Sequence, residues 1–338
     1  MRALQLRPDQ DWPTLVDAPK PVPGPDEVLL RVLAAGICRT DIHLIRSSRH
    51  DFDRALILGH EIVGEVVSAG GSSGTLQPGE IVMAHHKLVC GSCRYCVGGK
   101  ETLCSNAQVL GIDRDGGFAE FTTTRASRVI PLPPSVTPGA GAALTCGGVT
   151  AYHALKAVAG VAPSETVLVL GTGGVGLFAV QIAKHLGAKV VAADLRTHAL
   201  HRATELGADQ TVIVDPTVSS QCADSLGLDS VDVVLDLVGD SELANKLTPT
   251  LRPGGRYVVT SGTREDRLSL ALYSLFRREL GFLGSRGSSL RDLKKVAELA
   301  SRGELDSSIT AQGSLAEGED LLRRVDNGDI VGRAVLIP

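Results

Sequence analysis

The sequence predicts an α/β protein in two parts: a β-rich portion, and a doubly wound parallel sheet inserted into it. Three observations carry this. Up to about residue 150, short apolar runs alternate with turn signals. Beyond it, strand and helix patterns alternate around a glycine loop, which implies parallel strands. Two amphipathic helical patterns and a last strand then close the chain. At 338 residues, two domains are expected. The boundaries fall at 1–150 with 286–338 for the β-rich part, including a cysteine-rich lobe at 88–105, and at 151–285 for the insert.

In the first part, Val28–Val32, Glu65–Ser68, Ile81–Ala84 and Ala119–Thr123 read as strands, with turns at Pro23–Pro25 and Pro78–Gly79. Thr150–Val158 reads as a helix. In the insert, strands are expected at Val167–Leu170, Lys189–Ala193, Thr211–Val214, Val231–Leu235 and Tyr257–Thr260. A helix is expected at Thr197–Leu206, with Gly207 just past its end. In the tail, Leu290, Leu293, Val296, Ala297 and Ala300 share a helical face, Ser314–Val325 forms a second helix, and Ala334–Ile337 is a strand.

Composition excludes several roles. Apolar residues make up 43% but aromatics only 3%, so the cores must be aliphatic, as must any pocket lining. A net charge of −4 argues against a nucleic-acid surface, which needs clustered positive charge. Charges at positions 2, 7, 9 and 11 leave no apolar leader, so a cytoplasmic protein is expected. The longest uncharged run, Thr166–Ala183, is split by Gly171, Gly173, Gly174 and Gly176, which favours strand, loop and helix over a membrane span. Seven cysteines, an odd number with C-x-x-C spacing, point to thiolate–metal chemistry in a reducing compartment.

The loop Gly171-Thr-Gly-Gly-Val-Gly176 fits G-x-G-x-x-G between a strand and a helix, the context in which that pattern binds a dinucleotide. Small residues admit a pyrophosphate, and the helix start offers free N–H groups. Asp194 ends the next strand, 23 residues after Gly171. A carboxylate there accepts from ribose hydroxyls and repels a 2′-phosphate, which predicts NAD over NADP, although Arg196 stands close enough to tolerate a phosphate. The alternative is a glycine turn with no ligand.

Cys90, Cys93, Cys96 and Cys104, in C-x2-C-x2-C-x7-C spacing, offer four thiolates to one tetrahedral Zn2+. Four sulfurs leave no open position, so this site pins a loop and any reaction belongs elsewhere. Free thiols or an iron–sulfur cluster are the alternatives. Cys38, His60 and Cys146 are candidates for a site of two thiolates and one imidazole with a vacant fourth position, but spacing does not force this. Taken singly, each also reads as a buried thiol or a core imidazole.

Taken together, "GICRTDIH", "LGHEIVGEV", "CGSCRYCVGGKETLC", "LTCGGVTAYHAL", "VLGTGGVGLFAVQIAK" and "NGDIVGRAVL" resemble, in order and over essentially the whole chain, the zinc-dependent alcohol dehydrogenases of the medium-chain dehydrogenase/reductase superfamily. The resemblance implies a GroES-like, partly open β-barrel catalytic domain with an inserted Rossmann domain, and an active site in the cleft between them. It implies catalytic zinc on Cys38, His60 and Cys146, and structural zinc on the four clustered cysteines. Glu61 would lie behind the catalytic metal, Asp41 would orient His60, Thr40 would hydrogen-bond the substrate oxygen, and His43 would end a proton relay. Arg39 and Arg333 would approach the cofactor pyrophosphate, with Thr150 and the loop residues Gly171, Gly173, Gly174, Val175 and Gly176 beside the cofactor.

The implied reaction is reversible hydride transfer between an alcohol and NAD, giving an aldehyde or ketone. The implied assembly is a homotetramer. A polyol or threonine-type dehydrogenase and a non-catalytic zinc-pinned nucleotide binder are the rivals. Two departures stand out. Ala199 replaces the lysine usually five positions after the ribose-binding aspartate, which leaves Arg196 or Arg202 as substitutes. Neither Cys222 nor the charged segment 46–57 matches any motif.

Overall fold

The structure is a computed structural model that describes residues 1–47, 54–71, 76–214, 230–263 and 265–338. These residues divide into two compact units. The first comprises Met1–Val149, Ser288–Gly303 and Ser307–Pro338; the second comprises Thr150–Gly287 and Glu304–Asp306. No helix among the described residues is long and apolar enough to cross a membrane.

The first unit is built on a seven-stranded sheet. Its path runs Val129–Pro131, Ile81–Ala84, Glu61–Ala69, Glu27–Ile37, Arg333–Ile337 and Ile309–Ser314, with Phe121–Arg125 also paired to Glu27–Ile37. Most pairs are antiparallel, but Ile309–Ser314 and Arg333–Ile337 are parallel. Glu27–Ile37 is the axis of the sheet and is buried along most of its length. Its Val28, Leu30, Val32 and Ile37 join Leu4, Leu6, Leu58, Ile62, Phe118 and Leu336 in one aliphatic core.

The expected strands are present, with informative shifts. Ala119 forms an isolated bridge to Ala3, so the ladder begins at Phe121 rather than Ala119. The helix expected from Thr150 is preceded by earlier helical turns. Thr137 caps it by accepting from the Ala140 N–H, Pro138 follows at the first turn, and helical conformation continues to Val158. The Thr-Pro start signal was available in the sequence; the weak apolar period of Pro138–Ala143 hid the turn. Two stretches, Leu144–Gly148 and His153–Val158, are π-helical, a conformation that recurs at functional sites.

The second unit is a six-stranded parallel sheet in the order Gln210–Ile213, Lys189–Asp194, Thr166–Leu170, Val231–Asp236, Leu251–Val259 and Gly281–Gly284. Numbered along the chain this order is 3-2-1-4-5-6, the doubly wound arrangement in which ligands bind where strand order reverses. The reversal lies between Thr166–Leu170 and Val231–Asp236. These strands are nearly continuous apolar runs because helices cover such sheets on both faces. The strand expected at Tyr257 begins at Leu251, and its entry through Pro253, Gly254 and Gly255 is irregular.

Candidate active site

Sheet register brings Cys38 and His60 together. The strand Glu27–Ile37 ends just before Cys38, and Glu61–Ala69 begins just after His60. Their antiparallel ladder pairs Gly36 with Glu61. On the other side Ile37 pairs with Ala334, which brings Arg333 to the same end of the sheet. Glycine at residue 36 leaves room for Glu61: a Cβ there would lie 2.0 Å from Glu61 Oε2 and would push the carboxylate aside. Gly59, at φ +89°, sets the turn into His60; a Cβ there would meet the Phe118 ring at 2.4 Å. Cys146 arrives from the π-helical stretch.

The Cys38 and Cys146 sulfurs lie 4.0 Å apart, and ligand atoms of Cys38, His60, Glu61 and Cys146 all fall within 4.8 Å of one another. A tetrahedral zinc with zinc–sulfur bonds of about 2.3 Å sets its sulfurs roughly 3.8 Å apart, whereas a disulfide needs about 2.05 Å. All six described cysteines are free thiols. The donor set therefore fits a shared metal ion.

The surroundings suit that role. Cys38 is the N-cap of the helix Arg39–Arg46, and Asp41 Oδ2 accepts from the Cys38 N–H at 2.8 Å. The other Asp41 oxygen lies 3.4 Å from His60 Nδ1. Both atoms are buried and otherwise unpartnered, so each orients the other. The Cys38 thiol is held well below its ordinary range, chiefly by its contact with the Cys146 thiol, with help from His60 and Arg333 against burial. The same contact, together with burial, holds Cys146 up. Glu61 forms a fully buried ion pair with Arg333. Burial pushes its carboxyl up to about 7 even though Arg333 pulls the other way.

The structure puts other predicted residues in definite places. Thr40 Oγ1 lies 3.6 Å from Cys38 Sγ, on the side of the metal donors. His43 is exposed on the same helix. Arg39 donates to the carbonyls of Val325 and Asp326 at 3.4 and 3.1 Å, at the end of the helix Gly318–Asn327. Arg333 was expected near a pyrophosphate; here it is 4% exposed and held by Glu61, so its visible work is to balance a buried carboxylate. Thr150 is half-buried in the helical stretch Val149–Tyr152. Of the charged segment, Arg46 pairs with Asp326 and Arg54 with Asp115, while residues 48–53, like Cys222, lie outside the described residues.

Sequence reasoning missed two histidines. His85 and His86 follow the strand Ile81–Ala84, are buried, and stack with ring centroids 4.9 Å apart. His86 also meets the His60 ring edge-on at 5.8 Å. Burial holds both imidazoles down, His86 to about 3. The run "AHHKLVC" carried the signal, since two adjacent histidines close an otherwise apolar strand.

In the cysteine lobe the sulfur separations are 3.5 Å for Cys93–Cys96, 3.6 Å for Cys90–Cys104 and 3.9 Å for Cys90–Cys96. All four ligand atoms lie within 4.8 Å of one another. This is a four-thiolate site with the same fit to a tetrahedral metal. Backbone N–H groups of Ser92 and Cys93 bring the Cys90 thiol down to about 6, ready to act as a thiolate.

The glycine loop separates three jobs. Gly171 turns at φ +92°. A Cβ on Gly173 would meet nothing within 4 Å, which leaves room for a ligand, while one on Gly176 would strike the Gly171 carbonyl oxygen at 2.0 Å. Gly173 caps the helix that begins at Gly174 and continues through Val175 and Gly176. This is the division of labour a pyrophosphate cradle needs. Asp194 is more occupied than expected. Oδ2 accepts from the N–H and hydroxyl of Thr172 at 2.7 and 3.0 Å; Oδ1 accepts from the N–H and Nε of Arg196 at 3.0 and 3.1 Å. Burial would raise its pKa, but the donors from Arg196 and Thr172 outweigh burial and keep it below the usual range. Ala199 is fully buried, and Arg202 is engaged by Glu205 and Asp306, so Arg196 is the cation paired with the Asp194 carboxylate.

Comparison with known proteins gives the same picture. Residues 24–134 match the alcohol dehydrogenase GroES-like domain, and residues 174–302 the zinc-binding dehydrogenase domain. The chain is 33% identical to an NAD-dependent alcohol dehydrogenase of Sulfolobus acidocaldarius over 350 residues, covering 99% of both proteins. It is 32% identical to the L-galactonate-5-dehydrogenase of Escherichia coli K12 over 293 residues, covering 86% of this chain and 84% of that one. The crystal structure of the alcohol dehydrogenase from Aeropyrum pernix superposes with a TM-score of 0.89 at 31% identity, covering 100% of both chains. The chain thus belongs to the zinc-dependent medium-chain dehydrogenase family and is an oxidoreductase.

Proposed function

We propose that the chain transfers a hydride reversibly between a primary or secondary alcohol and NAD, giving the aldehyde or ketone, and that it carries two zinc ions. The observation that carries this reading is the meeting of Cys38, His60 and Cys146, drawn from three distant segments, at metal-sharing distances. Bound zinc supplies Lewis acidity that brings an alcohol's pKa toward neutrality, and the dinucleotide supplies the hydride acceptor.

The chain's own residues do the rest. Cys38, His60 and Cys146 hold the catalytic ion, and Asp41 fixes the His60 ring. Thr40 accepts the alcohol proton and passes it on, since a hydroxyl can relay a proton without keeping charge. His43, exposed on the same helix, delivers it to solvent. Glu61 and Arg333 keep charge balanced behind the ligands. Cys90, Cys93, Cys96 and Cys104 hold the second zinc and pin their loop. Gly171, Gly173, Gly174, Val175, Gly176 and Thr150 seat the dinucleotide. Asp194 favours NAD, although Arg196 neutralises part of its charge and makes NADP a weaker second cofactor.

A polyol substrate is the second reading, supported by the kinship to L-galactonate-5-dehydrogenase. A cytoplasmic homotetramer completes the proposal; free thiols at every described cysteine suit a reducing compartment. The test is NADH absorbance with a panel of alcohols, aldehydes and ketones, for wild type and Cys38→Ser. Turnover that vanishes in Cys38→Ser while dinucleotide binding survives is expected. Equal turnover in the two proteins refutes the assignment.

A further inference from the structure

His85 and His86 look alike in sequence but differ in how they are satisfied. His85 uses both ring nitrogens: Nδ1 accepts from Arg128 Nη2 at 3.1 Å and from the Lys87 N–H at 3.2 Å, and Nε2 donates to Ser288 Oγ at 3.2 Å. It is a fully paired core histidine. His86 uses one. Its Nδ1 lies 3.2 Å from the Thr145 carbonyl oxygen. A carbonyl only accepts, so Nδ1 carries the hydrogen, and the neutral ring keeps its lone pair on Nε2. That atom has no hydrogen-bond partner among the described residues and, unlike His60 Nδ1, is not sealed from water. Yet the residue is only 7% exposed. Buried polar groups are paired as a rule, so an open acceptor in such a place is a place for a ligand.

Its surroundings say which ligand. The ring is tied to the residue before Cys146 and packs on the ring of His60, so it touches the segments that carry two of the three metal donors. It stands outside the group whose ligand atoms lie within 4.8 Å of one another, so it is a neighbour of the metal rather than a ligand. His85 supports it from beneath. We propose that His86 Nε2 accepts a hydrogen bond from a second hydroxyl on the substrate, next to the reacting carbon, so that the preferred substrates are vicinal diols and their α-hydroxy ketones rather than simple alcohols. This rests on the oxidoreductase reading above and narrows its substrate class.

The test uses pairs that differ by one hydroxyl: 3-hydroxybutan-2-one against butan-2-one in reduction, and butane-2,3-diol against butan-2-ol in oxidation. For the wild-type holoenzyme, kcat/KM should favour the hydroxylated member about tenfold or more, the yield of one well-placed hydrogen bond to a built acceptor. In His86→Phe the ratio should fall to near one, and in His86→Gln, whose amide oxygen still accepts, part of it should return. Calorimetric binding of propane-1,2-diol against propan-1-ol to the wild-type holoenzyme gives the same comparison without turnover or a variant. A wild-type ratio near or below one, or a ratio unchanged in His86→Phe, overturns the inference while leaving the oxidoreductase reading intact. A holoenzyme that neither binds nor turns over any of these compounds overturns both.

Discussion

Two glycines of the nucleotide loop, three residues apart, should fail in different ways when each gains one methyl group. At Gly176 an added Cβ lies 2.0 Å from the Gly171 carbonyl oxygen and 2.9 Å from its carbon. Ordinary contact begins near 3.4 Å, so the turn and the helix must part by roughly 1.4 Å in a close-packed interior. Overpacking of this kind costs about 1–3 kcal/mol, and a backbone clash belongs at the upper end. Gly176→Ala should therefore melt roughly 4–10 °C lower. At Gly173 the added Cβ meets nothing within 4 Å, and the backbone (φ −76°, ψ −162°) is open to any residue. Gly173→Ala should melt with the wild type or slightly above it, since alanine restricts the unfolded chain. On the proposed reading, that open space is where a pyrophosphate approaches the helix start. Losing one charge-assisted hydrogen bond there weakens dinucleotide binding by about 1.5–3 kcal/mol, roughly 10- to 150-fold. Calorimetric NADH titration beside thermal melting separates the two effects. Gly173→Ala binding NADH within twofold of wild type would refute the cradle.

Metal analysis should find two zinc ions per chain, and Cys93→Ser should retain one, melt several degrees lower and keep its remaining zinc in the Cys38 centre; a wild type with one zinc contradicts the two-site reading. Arg333→Met strands the Glu61 carboxylate in the core and should cost about 3–5 kcal/mol in denaturant unfolding, with Glu61→Gln on the same background restoring part of it; a single variant as stable as wild type refutes the pairing. Arg256 grips Glu165 with two hydrogen bonds of 2.7 and 2.8 Å and, chiefly through them, holds its carboxyl below the ordinary 4.5. A depressed pKa stabilises the fold above 4.5 and loses that contribution as pH falls through the folded value. The melting gap between wild type and Glu165→Gln should hold from neutral pH to about pH 5 and close below 4.5; an equal gap at pH 3 would show that the pair's charge is not its source.

Local patterns were legible and long-range ones less so. The four clustered cysteines span one short loop, so their spacing alone announces a four-thiolate metal site. The glycine loop is likewise local, and Gly171, Gly173 and Gly176 have separate geometric reasons. Cys38 and His60 are different. What joins them is the Gly36–Glu61 register, which neither segment contains alone. Only resemblance connected these positions beforehand, and it had nothing to say about His86. The Glu61–Arg333 pair was hidden for a similar reason. Nothing near Arg333 in the sequence points to Glu61; the pairing of Ala334 with Ile37 brings the two side chains together. Asp194 was singled out by spacing, but the five hydrogen bonds that already occupy it come from Thr172 and Arg196, and a linear pattern does not show how much accepting capacity a carboxylate has left.

The place of Arg333–Ile337 within the sheet has a consequence for biosynthesis. This strand sits between Glu27–Ile37 and Ile309–Ser314, in the interior of the sheet rather than at its edge. A ribosome makes Glu27–Ile37 early and its neighbour only after the whole parallel-sheet unit. Domains tend to mature as units during synthesis, so the inserted unit can fold first while the older strands wait with one flank unzipped. Pairing of Gly36 with Glu61 at that stage would bring Cys38 and His60 close before the counter-charge for Glu61 exists. A metal taken up by these donors at that stage would precede the pairing of Arg333–Ile337, and a chain stalled before Arg333 would leave the flank of Glu27–Ile37 as an aggregation-prone edge.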